Sequence, residues 1–174
     1  AVNIIELIDT QTGGAVAPDS LAMNFQVSHH TATLLQDGRV LIAGGIDGTG
    51  AISDKLFLYE PMIPPAAAVD GLGTQIYLSE PRVGHTATLL PDGRVLIIGG
   101  IDLSDLWANL ATAEVWDPVS GLFTRTGSMA VARSGHTATA LSDGRVLVVG
   151  GTGGSDTAEV WDPATGRFTT AGSL

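Results

Sequence analysis

The sequence predicts an all-β fold made of propeller blades. Three observations predict it: one segment occurs three times, its copies lie about fifty residues apart, and each copy contains a pair of glycines. The copies begin at His30, His85 and His136, which are 55 and 51 residues apart. A period of this length with a double glycine is typical of the four-stranded blades of a propeller. One such repeat cannot bury its own apolar face, so the repeats must pack as an array.

Each copy begins with a strand, a tight turn and a second strand. In the third copy, residues 136–141 alternate small and β-branched side chains, which predicts a strand. An Asp-Gly dipeptide follows, for which we predict a two-residue hairpin turn of type I′. Residues 145–149 form a short apolar run, as expected of a strand covered on both faces. A glycine pair then permits a sharp exit and close packing of backbones. These pairs are Gly44-Gly45, Gly99-Gly100 and Gly150-Gly151.

Each copy continues with a third strand, a turn and a fourth strand. In the third copy the third strand ends at Trp161, and the Asp-Pro-Ala-Thr-Gly sequence after it predicts a turn. Residues 167–171 form the fourth strand. The second copy repeats this pattern around Trp116. The first copy has Tyr59 at that position and about six additional residues in a loop rich in Pro and Ala.

The repeats divide the chain into four segments of one propeller domain or fragment. Residues 1–27 resemble the second half of a blade and would supply its two outer strands. Residues 28–81 form a degenerate blade with an insertion, and residues 82–132 and 133–174 form two regular blades. The sequence therefore predicts about three and a half four-stranded blades.

Three features of the repeats resemble Kelch repeats: the double glycine, a Glu-Val-Trp-Asp-Pro segment, and the Arg-Ser-Gly-His segment at residues 133–136. They resemble in particular the repeats of bacterial, often secreted, Kelch proteins and of the galactose-oxidase-type propeller. The first repeat departs from this pattern, since Val27 stands where Arg82 begins the second. The resemblance implies a ring of six or seven blades, which three and a half blades do not close. We therefore expect a fragment or part of an assembly, whose exposed blade faces bind a protein partner or a second copy.

The composition excludes several classes of function. The chain has a formal net charge of −10 and eight Lys and Arg residues, which argues against nucleic acid as a partner. It has no cysteine, which excludes disulfides, thiolate metal sites and the Cys-dependent copper site of galactose oxidase. No segment is long and apolar enough for membrane insertion. Composition leaves the compartment open, and the resemblance to secreted proteins favours an extracellular or periplasmic location.

Histidines occupy equivalent positions on the three strands that we predict to be innermost. A ring of His30, His85 and His136 around a central channel could bind a metal. We favour the alternative that each histidine packs between blades and bonds a backbone carbonyl, because its repetition follows from the scaffold. His29 occurs in the first copy alone and should face away from His30. We therefore assign no metal site and no cofactor.

Charged residues also recur with the repeat. The arginine after each Asp-Gly, together with Glu114 and Glu159, could supply catalytic charges. We favour the alternative that these arginines and glutamates pair across strands within a blade, where opposite charges give modest stabilisation. The arginines concerned are Arg39, Arg94 and Arg145.

The loops after the glycine pairs differ between copies, and we predict that they contain the binding residues. Their aspartates offer oxygen ligands for a cation, although the spacing is not that of an EF-hand. The tryptophan at position 107 is the best candidate for an exposed contact, the alternative being that it covers apolar residues of its own loop. The candidate binding residues are Asp47, Asp54, Asp102, Asp105 and Trp107.

The sequence favours a non-catalytic scaffold that binds a protein or a ligand, since no acid, base and nucleophile converge in its pattern and no residue is predicted to be catalytic. The second hypothesis is a fragment of a Kelch-propeller enzyme, similar to sugar-acid epimerases or oxidases, whose active site needs further blades. A third hypothesis is an engineered or reconstructed propeller segment, which would suit the near-identity of the second and third copies, although recent natural duplication explains that near-identity equally well.

Overall fold

The computed structural model describes residues 26–59, 68–69, 76–102, 108–153 and 156–173. All helical or extended elements within these ranges are β-strands, and they pair antiparallel. The predicted half-blade at residues 1–27 and the predicted insertion in the first repeat lie largely outside the described residues. The strands are β1 (Val27–Ser28), β2 (Thr31–Leu34), β3 (Val40–Ala43), β4 (Ile46–Asp47), β5 (Leu56–Tyr59), β6 (Ala68–Val69), β7 (Thr86–Leu89), β8 (Val95–Ile98), β9 (Ile101–Asp102), β10 (Ala108–Asn109), β11 (Ala113–Trp116), β12 (Phe123–Arg125), β13 (Thr137–Ala140), β14 (Val146–Val149), β15 (Thr157–Asp162) and β16 (Arg167–Ser173).

Three four-stranded antiparallel sheets follow one another along the chain. The first sheet has the strand order β2-β3-β5-β6, the middle sheet β7-β8-β11-β12 and the third sheet β13-β14-β15-β16. Each is a meander, as expected of a propeller blade. Two short strand pairs, β1 with β4 and β9 with β10, are additional to the predicted elements. The predicted all-β, propeller-type fold is confirmed, whereas the total of three and a half blades stays a prediction.

Each sheet has a forward face, which looks toward the next repeat, and a rear face, which looks toward the preceding one. Side chains alternate between the two faces along every strand. The first strand of each sheet lies against the first strand of the next sheet, so that β2 contacts β7 and β7 contacts β13. In the third sheet the forward face carries Thr137, Thr139, Leu147, Val149, Ala158 and Val160, and the same register positions form it in the other two sheets.

Two apolar cores fill the spaces between successive sheets. The first contains Leu41 and Ala43 of the first sheet with Val95, Ile97 and Trp116 of the middle sheet. The second contains Leu96, Ile98 and Val115 of the middle sheet with Val146, Val148 and Trp161 of the third. Both tryptophans are at most 2 % exposed, so each contributes a large buried apolar area to its junction.

The burial of the second strand in each repeat depends on whether its sheet is covered on one face or on both. All four residues of β8 are fully buried, because the middle sheet is covered on both faces. In β14 the pattern alternates: Val146 and Val148 are fully buried, whereas Leu147 and Val149 are half-buried. The predicted cover on both faces is therefore confirmed for the middle sheet, and for the third sheet it stays a prediction, because no following sheet lies among the described residues.

The Asp-Gly hairpin turn is longer than predicted. In the first repeat the Leu35 amide donates to the Arg39 carbonyl at 2.8 Å, and the Gly38 amide donates to the Leu35 carbonyl at 3.1 Å. Gly38 has a φ of 87°, whereas Asp37 does not have a positive φ. This geometry is a three-residue loop that ends in a left-handed glycine, so the prediction of a two-residue type I′ turn is wrong. Asp37 stays right-handed and accepts the Arg39 amide at 3.0 Å.

The glycine pairs lie where two repeats approach most closely. Gly44 and Gly99 have φ values of 62° and 61°. A Cβ at Gly44 would stand 2.6 Å from the carbonyl oxygen of Arg82, and one at Gly99 would stand 2.5 Å from that of Arg133. Both the backbone conformation and the close approach therefore require glycine at these positions.

Candidate functional site

A buried ion pair lies inside the middle and third repeats. Arg82 Nη2 pairs with Glu114 Oε1 at 3.2 Å, and both side chains have no solvent exposure. Arg133 Nη2 pairs with Glu159 Oε1 at 2.9 Å, with exposures of 0 % and 2 %. Burial lowers the pKa of the Arg82 guanidinium, and the Glu114 carboxylate opposes that shift. These pairs hold the segment before the first strand against the third strand of the same sheet.

The other hydrogen bonds of these groups go to the backbone. Arg82 Nη1 donates to the Gly99 carbonyl at 2.8 Å, and Arg133 Nη1 donates to the Gly150 carbonyl at 3.0 Å. Glu159 also accepts the Ala130 amide at 2.7 Å. Each arginine thus ties the exit at the glycine pair to the start of its own repeat. A charge that is satisfied in this way is structural rather than available to a substrate.

The arginines after Asp-Gly have different partners from those we predicted. Arg39 Nη2 lies 2.7 Å from the Asp37 carboxylate, and Arg94 and Arg145 pair in the same way with the aspartates of their own turns. The predicted pairing of these arginines with Glu114 and Glu159 is wrong. The reason is proximity, since the turn aspartate lies two residues away, whereas the glutamates are buried beside other arginines.

The repeated histidines lie at the junctions between sheets. His85 Nε2 and the Thr31 hydroxyl share a hydrogen bond of 3.0 Å, and His136 Nε2 and the Thr86 hydroxyl share one of 2.9 Å. The partner of Nε2 is thus a hydroxyl group of the preceding sheet, which we did not predict. The backbone of Arg82 and of Ala43 also lies beside the His85 ring and opposes the fall in its pKa. Burial lowers the pKa of His85 to about 3 and that of His136 to about 4. Each ring is therefore neutral at physiological pH.

Three of the predicted loop carboxylates lie among the described residues, each with partners in its own repeat. Asp47 Oδ1 accepts the Thr49 hydroxyl at 2.6 Å and the amides of Thr49 and Ala51, and these bonds lower the pKa of Asp47. Asp102 lies on β9 beside β10, and Asp54 precedes β5, where its carbonyl accepts the Leu78 amide. Asp105 and Trp107 lie outside the described residues. Binding roles for these five residues stay predictions.

The part of the chain that the structure describes contains no group of three or more His, Asp or Glu side chains placed to hold a metal ion. Within the same ranges no helix has the length and apolar character needed to cross a membrane.

A groove of about 400 Å³ lies between the outer strands of the middle sheet and the third sheet. Its lining residues include Thr124 of β12, Trp161 of β15 and Arg94 of a hairpin turn. The backbones of Arg125 and Arg167 also border it, but the register places the Arg125 side chain on the rear face of the middle sheet and the Arg167 side chain on the forward face of the third. The bottom of the groove is tied together by hydrogen bonds between the two sheets. Thr126 accepts the Trp161 indole N–H at 2.9 Å and donates to the Gly166 carbonyl at 2.7 Å.

The forward face of the third sheet has no following sheet among the described residues. Thr137 occupies the position of Thr31 and Thr86, the two threonines that bond a histidine of the next repeat. The Gly151 amide occupies the position of Gly45 and Gly100, whose amides donate to the carbonyls of Arg82 and Arg133 at 3.0 Å. Among the described residues the Gly151 amide has no acceptor.

Comparison with known proteins agrees with this geometry. Residues 132–174 match the family described as the Kelch motif. The solved structure of YjhT, a Kelch-type propeller protein, matches with a TM-score of 0.66 and 14 % sequence identity, over 85 % of this chain. The chain has a propeller-type fold, and its residues 132–174 match a Kelch motif. It spans about half the YjhT chain, since the match covers 51 % of that chain. No curated protein matches the sequence.

Two features of these Kelch-type repeats were not recognised in the sequence. In the first repeat, Val27 and Phe57 stand where the later repeats have the buried arginine and glutamate, so both members of the ion pair are replaced together. Comparison of the aligned copies would have shown this coupled change. The bonds of Thr126 to the third sheet were also missed, because Thr126, Trp161 and Gly166 belong to different repeats and meet only when two sheets pack.

Proposed function

We propose that this chain is a non-catalytic Kelch-type scaffold that associates with a second copy of itself through the forward face of its third sheet. The observation that carries the proposal is the half-burial of Leu147 and Val149 on that face, at positions where the middle sheet is fully buried. Apolar positions that are covered at both described junctions and half-exposed on this face favour a partner that completes the pattern.

The polar groups of the same face support this proposal. At both described junctions, a threonine and a glycine amide of one sheet meet a histidine and a backbone carbonyl of the next. Thr137 and the Gly151 amide offer the same pair of groups to an incoming repeat. A partner that supplies an imidazole and a carbonyl at this spacing would satisfy them.

The first sheet of a second copy has features that fit this role. His30 holds the position of His85 and His136 in the repeat. Val27 holds the position of Arg82 and Arg133, so its backbone carbonyl could accept the glycine amide that theirs accept. Leu34 is 64 % exposed on the rear face, although its counterpart Leu89 packs against the preceding sheet. A head-to-tail contact would bury Leu34 against the open forward face of the other copy.

Light scattering at several protein concentrations tests the proposal. We expect the mass to rise with concentration for the natural chain and to stay at that of a monomer for Val149→Asp, because the new carboxylate would be buried without a partner. Val119→Asp is the matched control, since Val119 is 94 % exposed on a turn of the middle sheet. Circular dichroism of each variant shows whether it is folded. A natural chain that stays monomeric at every concentration contradicts the proposal.

The alternative is a fragment of a Kelch-propeller enzyme. The observation that favours it is coverage, because the chain spans only about half of the YjhT chain. This hypothesis predicts that polar residues of further blades complete an active site at one mouth of the ring. An assay of sugar-acid turnover by the chain in its full assembly separates the two hypotheses, since the scaffold proposal predicts no turnover.

A further inference from the structure

Four Asp-Gly dipeptides lie among the described residues, and one of them has a different structure from the rest. Three belong to the hairpin turns of the repeats and begin at Asp37, Asp92 and Asp143. The fourth, Asp47-Gly48, lies in the loop after the first glycine pair. We propose that Asp47 is a modification site, at which the natural chain converts aspartate to isoaspartate without an enzyme. The site lies in the first repeat and is separate from the forward face of the third sheet.

The reaction joins the side chain of an aspartate to the backbone nitrogen of the next residue. The nitrogen attacks the carbon of the protonated carboxyl group, the amide proton and the carboxyl hydroxyl group leave as one water molecule, and a five-membered succinimide ring forms. Water then opens the ring at either carbonyl. Opening at the former backbone carbonyl makes the chain run through the side chain, as isoaspartate, and leaves the mass of the protein unchanged. A glycine in the next position favours the reaction, because no Cβ hinders its nitrogen.

In the three repeat turns the attacking nitrogen already makes a hydrogen bond. The Gly38 amide closes its three-residue loop by donating to the Leu35 carbonyl at 3.1 Å. The amides of Gly93 and Gly144 make the same bond, at 3.0 Å, in the other two turns. Each nitrogen would have to leave this bond, and so open the turn, before it could reach the carboxyl carbon. The fold therefore protects these three dipeptides.

The loop at Asp47 has the same hydrogen bonds, but the dipeptide occupies different positions in it. The Asp47 amide donates to the Ala51 carbonyl at 2.8 Å, and the Gly50 amide donates to the Asp47 carbonyl at 3.0 Å, which again gives a three-residue loop. Gly50, with a φ of 89°, therefore has the place that Gly38 has in the repeat turn. Gly48 is the first residue of the loop. It is exposed, and its amide has no acceptor among the described residues.

The carboxylates also differ in what holds them. In the repeat turn, Asp37 Oδ2 accepts Arg39 Nε at 2.8 Å and Oδ1 accepts the Arg39 amide, so both oxygens are bound. The three donors to Asp47 all bind Oδ1 and come from its own loop, so the carboxyl group lies over the loop that Gly48 begins. Hydrogen bonds from the residue two positions later lower the pKa of all four aspartates, so ionisation does not distinguish them. The unbonded Gly48 nitrogen distinguishes Asp47.

Isomerisation would change the structure of this loop. It would insert one carbon atom into the backbone between Asp47 and Gly48, at the end of β4, where Asp47 pairs with Val27 of β1. It would also shorten the side chain that accepts the amides of Thr49 and Ala51. Because Asp47 is one of the predicted binding residues, a loop that binds through this carboxylate would lose that ability as the protein ages.

Tryptic peptide mapping of the full chain tests the proposal, because the four dipeptides fall in the four different peptides 1–39, 40–55, 83–94 and 134–145. The native chain and the chain unfolded in guanidinium chloride are incubated at neutral pH until the unfolded chain shows a second chromatographic form, of unchanged mass, for each peptide. In the native chain we expect peptide 40–55 to convert about tenfold faster than the other three, which is the factor that one hydrogen bond to the attacking nitrogen represents. In the unfolded chain the four rates should be similar, because none of these hydrogen bonds remains.

Gly48→Ala is the matched variant, and the other three peptides are internal controls. Gly48 does not have a positive φ, and the new Cβ would meet only the Gln26 side chain, which can rotate away, so the variant should fold. The Cβ hinders the attacking nitrogen, and we expect the second form of peptide 40–55 to decrease strongly. Equal conversion of all four peptides in the native chain overturns the proposal. So does a peptide 40–55 that stays unchanged in the native chain, or one that converts equally fast in Gly48→Ala.

Discussion

Replacement of one member of the buried ion pair in the third repeat should destabilise the fold more than replacement of both. Arg133→Val leaves the Glu159 carboxylate, which is 2 % exposed, buried without its cation. Removal of one partner from a buried pair costs about 3–5 kcal/mol. Glu159→Phe likewise leaves the Arg133 guanidinium, which has no solvent exposure, buried without its carboxylate partner. Either single loss is a large part of the roughly 5–15 kcal/mol that stabilises a typical domain.

The double variant Arg133→Val/Glu159→Phe copies the pair Val27 and Phe57 of the first repeat. It removes both charges, so its cost should be limited to the backbone groups that lose a partner. The main ones are the Ala130 and Val131 amides, which now donate to Glu159 at 2.7 and 3.2 Å. An unsatisfied buried donor costs about 1–3 kcal/mol of stability. Because Ala130 is exposed, water can replace the carboxylate as acceptor there, and the cost should lie at the low end of this range.

Urea unfolding of the natural chain, the two single variants and the double variant gives the coupling energy of the pair. We expect the sum of the two single losses to exceed the loss in the double variant by at least about 2 kcal/mol. The slope of the unfolding curve should be the same for all four proteins. Strictly additive losses, or single losses below about 1 kcal/mol, would show that the two charges are solvated and that the burial argument is wrong.

Two further predictions concern the histidines. Because burial lowers the pKa of His85 and His136 to about 3 and 4, each ring binds a proton in the unfolded chain before it does so in the fold. Stability should be complete above about pH 6.5 and fall by up to roughly 1.4 kcal/mol per pH unit per histidine as pH decreases toward 4, and His136→Gln should flatten that slope in urea unfolding. His29 has a φ of 57° at the position of Gly135, so His29→Gly should raise stability by up to about 1 kcal/mol. Gly135→Ala should lower stability by about 1 kcal/mol, because its Cβ would contact nothing within 4 Å and only the left-handed backbone conformation would be strained. Equal thermal midpoints for the natural chain and these two variants would show that a side chain at this position causes no backbone strain.

Local features of the fold could be predicted because they depend on neighbouring residues. The alternation in residues 136–141 and the apolar run in residues 145–149 both correspond to strands, and three copies of one pattern reinforce each other. The turn type was predicted wrongly, since an Asp-Gly dipeptide fits a two-residue loop and the last two positions of a three-residue loop equally well. The choice depends on the Asp37 carboxylate, which accepts the Arg39 amide and so stabilises the longer loop.

Features that depend on distant residues were beyond the sequence pattern. Glu159 is 26 residues from its partner Arg133 and lies closer in the chain to Arg145. Arg145 nevertheless forms its ion pair with Asp143 in the same hairpin turn. The prediction that Arg145 pairs with Glu159 was wrong because the sequence pattern does not show which arginine is buried beside the glutamate. The Nε2 partner of each histidine was also missed, because a threonine of the preceding sheet reaches the ring only when the two sheets pack.

The candidate site follows from differences between repeats and not from what they share. The histidines, glycine pairs and Arg–Glu pairs recur and are all engaged in holding one sheet together or one sheet to the next. Arg125 and Arg167 recur nowhere at their positions, so the scaffold forms without their charges. In a repeat protein the shared residues explain the scaffold, so a function specific to this chain must be sought among the residues that one repeat has and the others lack.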